Sequence, residues 1–175
     1  MLCLTNFDFD YDLFLNEYHS LKHLEKDYER GGKSLPHFRM IRDKDNQSEH
    51  ANAFADMIKD MFSIPGKVSS RFILLKANKS LPEHTDSDTQ CALNFLLTGE
   101  ETPVMFAKKH ADYKLEYYYK QALLNTQIPH MVHNGPTDRI LFKVSIFDLP
   151  YFEMKNLLDL KGFVQNESPI GSVAQ

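Results

Sequence analysis

Two textures divide the chain, with the change near Gly66. Over residues 11–28 (YDLFLNEYHSLKHLEKDY), the positions Leu13, Phe14, Glu17, Leu21 and Leu24 include the apolar steps of three and four that make one helical face. A helix is predicted there, ended by Gly31-Gly32. Residues 33–47 are polar and carry a proline, and they read as loop. A second helix is predicted over 48–62, with Ser48 as N-cap and Ala51, Phe54, Ala55, Ile58 and Phe62 as its buried stripe. Pro65-Gly66 stops it.

After Gly66 the apolar runs shorten and polar turns separate them. Strands are predicted at 68–77, 90–97, 103–107, 115–124, 128–133 and 139–147. Residues 79–88, 99–102, 108–112 and 134–138 read as loops, and 150–161 as a short helix. The tail from Gln165 reads as loosely held. Short strands with no helices between them suggest an antiparallel sandwich or barrel. With helices ahead of the strands, the fold class is α+β and mainly β. Nothing marks a linker or an internal repeat. The expected organisation is one domain over 1–175: helical support over about 8–64, a β-core over about 67–148 and a C-terminal extension over 149–175.

Composition narrows the function classes. The 175 residues are 42% hydrophobic and 25% charged, near the globular average, which excludes a disordered chain. No apolar run approaches the ~20 residues that span a bilayer. The formal charge of −4 gives no general attraction to nucleic acid or acidic membrane. Two cysteines, Cys3 and Cys91, make no disulfide framework and read as free thiols. The N-terminal stretch carries acid where a secretory signal carries Lys or Arg, so a cytoplasmic location is expected.

Of eight histidines, His37, His50 and His110 lie among charges and read as surface. His19 and His23 are spaced i, i+4, but with no HExxH or Cys pair they read as a solvated helix face. His84-Thr85-Asp86 is different. In extended chain, residues i and i+2 point the same way, so an imidazole and a carboxylate would face one point. That is two-thirds of a 2-His-1-carboxylate triad, which holds a non-haem iron and leaves positions open. Downstream, NTQIPHMVHNGPTDRILFKVSI places histidines in a strand, then a turn, then Arg139 opening an apolar strand. An Arg fork there could grip a carboxylate of a bound acid, or pair with an acid of the chain itself. His130 and His133 are both candidates for the third ligand. They differ by three, so only one can face a metal. Asn94, mid-strand in CALNFLL, needs a partner if buried, either a ligand or a backbone group. Tyr117, Tyr118 and Tyr119 alternate faces, and Ser145 shares parity with Arg139.

The order HxD, His, Arg on β-segments resembles the iron(II)/2-oxoglutarate-dependent oxygenases over roughly residues 68–148. LPEHTD at 81–86 looks like the approach to that family's HxD turn. PHMVHN at 129–134 looks like the HxVxN pattern of aspartyl/asparaginyl β-hydroxylase-like and prolyl hydroxylase-like members. Aspartyl/asparaginyl β-hydroxylases proper lack the carboxylate ligand; with Asp86 this chain departs from them and fits the common triad.

The resemblance implies a double-stranded β-helix (jelly-roll, cupin-like) core. It implies Fe(II) held by His84, Asp86 and His130, and 2-oxoglutarate as co-substrate with Arg139 on its distal carboxylate. O2 would be the oxidant, and succinate and CO2 would be released. Asn94, Tyr119 and Ser145 are the secondary candidates for the co-substrate pocket. The implied substrate is a protein side chain or a small metabolite, with nucleic acid disfavoured by the acidic balance. Asp43, Asp45, Asp88, Lys108 and Lys109, on loops expected to frame the mouth, carry no recognisable code. The alternatives are a cupin-type metalloenzyme without 2-oxoglutarate and a non-catalytic jelly-roll binding module.

Overall fold

The structure is a computed structural model. It describes residues 2–30, 33–42, 48–86, 88–99, 102–107, 114–165 and 171–173. In chain order the elements are β1 (Leu2–Leu4), α1 (Tyr11–Leu21), a 3-10 turn (Lys22–Leu24), β2 (Lys26–Arg30), β3 (Lys33–Arg42) and α2 (Glu49–Met61). Then come β4 (Val68–Leu75), β5 (Ser80–His84), β6 (Cys91–Leu96), β7 (Val104–Ala107), β8 (Lys114–Tyr117) and β9 (Gln121–Leu124). The last are β10 (His130–His133), β11 (Arg139–Ile146), α3 (Tyr151–Leu160) and β12 (Gly171–Val173).

The strands form two antiparallel sheets. The larger runs β1-β9-β6-β11-β4-β3-β2 and the smaller β12-β8-β7-β10-β5. This is the two-sheet, mainly β architecture expected of a double-stranded β-helix. Alternation along the large sheet divides its two faces. Ile140, Phe142, Val144 and Ile146 of β11, with Phe72 and Leu74 of β4, pack under the helices. That layer is dense in aromatic rings: Phe9 lies 4.3 Å from Phe95 and Phe14 4.6 Å from Phe142, centroid to centroid. The opposite face of the sheet, with Phe38, Met40, Ile73, Leu75 and Leu96, meets Phe106 and Val132 of the smaller sheet. A cavity opens between these two inner faces.

α2 follows its sequence signals closely: Ser48 Oγ accepts from Ala51 N at 3.1 Å, and Ala51, Ala55 and Ile58 are buried. α3 also lies where the pattern put it. The expected helix over 11–28 stops at Leu21, and Lys26–Arg30 is strand instead. The expected loop over 33–47 is strand β3 as far as Arg42, and its remainder lies outside the described residues. The helical support over 8–64 therefore also contains a β-hairpin. Its two strands hydrogen-bond to each other and extend the large sheet, and tertiary pairing of this kind overrides local helical spacing.

β5 corrects the loop reading of 79–88. It is an edge strand with Pro82 and Glu83 exposed, so it lacks the apolar content of a central strand. The predicted strand 115–124 is two strands in different sheets, β8 and β9, joined across the corner at Tyr118–Lys120. β12 falls within the tail expected to be loose and pairs with β8. β1 was not anticipated at all. Among the described residues no helix is long and apolar enough to cross a membrane. Cys3 and Cys91 are both buried free thiols, and burial pushes the Cys91 thiol up to about 12.

Candidate metal centre

Strand pairing builds the centre. β10 lies between β5 and β7, and its register sets His130 directly across from His84. Cross-strand partners share a face, and the two rings sit 4.3 Å apart. Asp86 follows two residues after His84, and its Oδ1 lies 3.6 Å from His84 Nε2. One potential ligand atom from each of His84, Asp86 and His130 falls within 4.8 Å of the others.

Hydrogen bonds fix the orientation of each group. His84 Nδ1 meets Pro82 O at 2.8 Å and His130 Nδ1 meets Ile128 O at 2.9 Å. A carbonyl only accepts, so each Nδ1 carries a hydrogen, and Nε2 is the nitrogen left to face a metal. The Asp86 loop is tied down twice: its N–H donates to Thr126 O at 3.0 Å, and Gln127 Nε2 donates to Asp86 O at 2.8 Å. Burial, with the His84 and Lys143 charges behind it, lowers the His130 imidazole to about 4 despite the Ile128 carbonyl and Asp86 pulling the other way. The ring is neutral at physiological pH, as a ligand must be. For Asp86, burial works to raise the carboxyl. The charge and hydrogen bond of Lys143, aided by both imidazoles, outweigh it and hold the carboxyl below its usual value. Two imidazoles and one carboxylate converging on one point are the donor set of a non-haem iron site, and the residues fit such an ion.

His133 is exposed and meets Ser80 Oγ through Nδ1 at 2.7 Å, away from the other two ligands. His19 and His23 belong to no cluster with metal-ligating geometry among the described residues.

The centre lies in a cavity of about 520 Å³ that Arg139, Asn94 and Tyr119 also line. Arg139 is 5% exposed. Its Nη1 donates to Gly99 O at 3.1 Å and to Thr102 O, and its Nη2 to Tyr119 Oη at 3.5 Å. Among the described residues no carboxylate meets it, which argues against the internal salt bridge. A buried guanidinium served by carbonyls and a phenol keeps its full charge, and its planar fork has the geometry to meet a carboxylate. Asn94 Nδ2 donates to the same phenol at 3.2 Å, while Asn94 Oδ1 is buried without a partner. Ser145 is fully buried between Ser69 and Ala92 and is not part of the cavity lining, although its parity with Arg139 holds. Asp88 lines the cavity; Asp43, Asp45, Lys108 and Lys109 lie outside the described residues.

Two further groups complete the frame. Asn134 Nδ2 donates to Leu75 O, Lys76 O and Thr137 O, at 3.1, 3.0 and 2.8 Å, and so pins the turn that delivers Arg139. Lys143 Nζ lies 2.5 Å from Asp86 Oδ2. Sequence reasoning missed Lys143, yet it shares parity with Arg139 four residues earlier, the same signal that singled out Ser145.

Gly99 shows how closely Arg139 is seated. Its φ is +79°, and a Cβ there would stand 3.0 Å from both Arg139 Cα and Arg139 Cβ. Gly99→Ala should therefore cost about 1–3 kcal/mol from backbone strain alone. At roughly 2–4 °C per kcal/mol for a chain of this size, a melting curve reads it directly. Anion binding at Arg139 should weaken in parallel; an unchanged melt would show that the turn yields freely.

No protein-family model matches the sequence, and no curated protein sequence matches it either. Solved structures do. A prolyl hydroxylase from Trichoplax adhaerens, in complex with a hypoxia-inducible-factor peptide fragment, superposes with a TM-score of 0.67 at 11% identity, covering 91% of this chain and 86% of that one. The non-haem α-ketoglutarate-dependent epimerase SnoN from nogalamycin biosynthesis gives 0.59 at 14% identity, covering 97% and 87%. HygX from Streptomyces hygroscopicus, with nickel and 2-oxoglutarate bound, gives 0.52 at 12% identity, covering 78% of each chain. The chain has the double-stranded β-helix fold of the 2-oxoglutarate/iron oxygenases.

Proposed function

We propose that the protein is an Fe(II)/2-oxoglutarate-dependent oxygenase, a hydroxylase of a protein side chain or small metabolite. One observation carries the reading: His84, Asp86 and His130 converge in the same cavity as a buried arginine that no described carboxylate neutralises. Fold likeness agrees, but fold does not settle chemistry, and the site has to.

His84 and His130 would bind the metal through Nε2, with Nδ1 of each anchored on a backbone carbonyl. Asp86 would bind through Oδ1 while Lys143 holds Oδ2. Arg139 would take the distal carboxylate of 2-oxoglutarate. The Tyr119 hydroxyl accepts from Asn94 and Arg139, so its own hydrogen remains free for that carboxylate. When bound, the metal and co-substrate would supply oxygen activation coupled to decarboxylation of 2-oxoglutarate to succinate and CO2. Val104, Leu124, Val132 and Leu141 line the same cavity and give it an apolar wall.

The test is Fe(II)-dependent conversion of 2-oxoglutarate to succinate in air, beside 2-oxoglutarate titration of the anaerobic metal-loaded protein. Binding with slow uncoupled turnover supports the reading. Metal binding with no affinity for 2-oxoglutarate would favour a cupin-type metalloenzyme, and no metal binding a binding module.

A further inference from the structure

Asn94 of β6 carries an acceptor that none of the described residues satisfies. The residue is 5% exposed and lines the metal cavity. Its Nδ2 is spent on Tyr119 Oη at 3.2 Å, and its Oδ1 is buried without a partner. Buried polar groups are almost always hydrogen-bonded. An unpaired acceptor on a cavity wall therefore calls for a donor from whatever fills the cavity.

Register sets Asn94 between the two ends of the site. It lies directly opposite Lys143 of β11, and direct partners share a face. Lys143 turns its Nζ to Asp86. Arg139 stands four residues, about 13 Å, away along the same strand. The amide thus sits beside the lysine that holds a candidate ligand and is bonded to the phenol that Arg139 also meets.

The co-substrate has no hydrogen to give. 2-Oxoglutarate is a ketone ionised at both carboxyls, so each of its polar atoms only accepts. O2, CO2 and succinate are no different. In the reading above, the donors of the wall are already matched: Arg139 and the Tyr119 hydrogen to the distal carboxylate, Lys143 to Asp86. Turning the Asn94 amide over would aim Nδ2 at the co-substrate. Oδ1 would then need the Tyr119 hydrogen and take it from that carboxylate. Asp88, the exposed carboxylate on the lining, is a further acceptor.

We propose that Asn94 is a specificity-determining residue and that the primary substrate is a small molecule presenting a hydroxyl or N–H hydrogen to its Oδ1. A cavity of about 520 Å³ is in the range that holds small molecules, and Tyr28, Leu35, Phe38 and Met40 of the β2–β3 hairpin give it an apolar wall for the body of such a ligand. A site built to hydrogen-bond its substrate rejects the analogue that lacks the bonding group. This inference rests on the oxygenase reading above and adds the substrate class to it.

The experiment uses protein loaded with Ni(II) and saturating 2-oxoglutarate under nitrogen. Three pairs of similar shape, with and without a donor, are titrated calorimetrically: cyclohexanol and cyclohexanone, 1-phenylethanol and acetophenone, N-benzylacetamide and N-benzyl-N-methylacetamide. At least one donor should bind tenfold or more tightly than its partner, the loss expected when a buried acceptor is left unpaired. The first two pairs report a hydroxyl and the third an N–H. Asn94→Leu, close in volume, should erase the preference, with Asn94→Ala as the second variant and a melting curve to confirm folding. In the folded variant 2-oxoglutarate affinity should fall by no more than about tenfold, through the lost bond to Tyr119. Equal binding or no binding in all three pairs would overturn the proposal, as would a preference that survives the substitution. A loss of 2-oxoglutarate affinity of a hundredfold or more would also overturn it, by making Asn94 a co-substrate ligand. Should Ni(II)-loaded protein fail to bind 2-oxoglutarate yet keep an Asn94-dependent preference for donors, the role of the amide stands and the oxygenase reading falls.

Discussion

Arg139→Ala should lower the affinity for 2-oxoglutarate by about two to three and a half decades. The guanidinium is almost wholly buried, and its described partners are two backbone carbonyls and a phenol. A carboxylate bound there would be desolvated, and removing one partner of such a pair costs about 3–5 kcal/mol. Each ~1.4 kcal/mol is tenfold in affinity. The variant also takes this donor from Thr102 O, at roughly 1–3 kcal/mol for an acceptor left buried and unpaired, while Gly99 O still accepts from Thr102 N. Stability and affinity must therefore be read separately, by a melt and by titration of the folded, anaerobic, metal-loaded protein. Arg139→Lys should fall less than alanine but not recover, since an ammonium has no fork. Metal affinity should survive in both variants. Unchanged 2-oxoglutarate affinity in Arg139→Ala would leave only a metal-binding barrel.

The second large effect is at the metal. His130→Ala or Asp86→Ala should cut Ni(II) or Fe(II) affinity by roughly a hundredfold or more, since loss of even an outer-sphere partner typically costs 10–100-fold. The two differ in what they leave behind. His130→Ala removes a neutral ring. Asp86→Ala strips Lys143 of its anion where the lysine side chain is only 12% exposed, so it should lower stability as well. Adding Lys143→Met should restore much of that stability and none of the metal affinity. His133→Ala should bind metal like the parent, because its ring is exposed and engaged with Ser80. Parent-like calorimetric titration of His130→Ala would sink the ligand assignment.

The site was more legible in the sequence than its supports. His84 and Asp86 could be paired from spacing alone, because period two holds in any extended segment. What sequence could not supply was β5 itself. A five-residue edge strand with Pro82 and exposed Glu83 lacks apolar alternation, yet its pairing with β10 brings His84 to His130. The β2–β3 hairpin was hidden for a related reason. KDYER carries charge at four of five positions and becomes strand only because β3 pairs with it. Tyr119 was reached through an expected continuous strand that turns a corner at that point instead. Parity along β11 was sound throughout, but it carries no depth. It admitted Ser145, which lies beyond the cavity, and it contained Lys143, which touches the candidate ligand Asp86.

β1 has a consequence for how the chain folds. Leu2 pairs with Leu124, so β1 waits for its partner while more than a hundred further residues emerge from the ribosome. Closing so long a loop is slow, and pairings of this separation belong to the millisecond-to-second regime. Until it closes, β9 presents an open edge with Ala122, Leu123 and Leu124 uncovered, three side chains that end up fully or almost fully buried. An apolar edge left open invites a strand from another nascent chain. The short strand β1 thus acts as an intramolecular edge cap, and yield during synthesis depends on three residues that supply none of the candidate ligands.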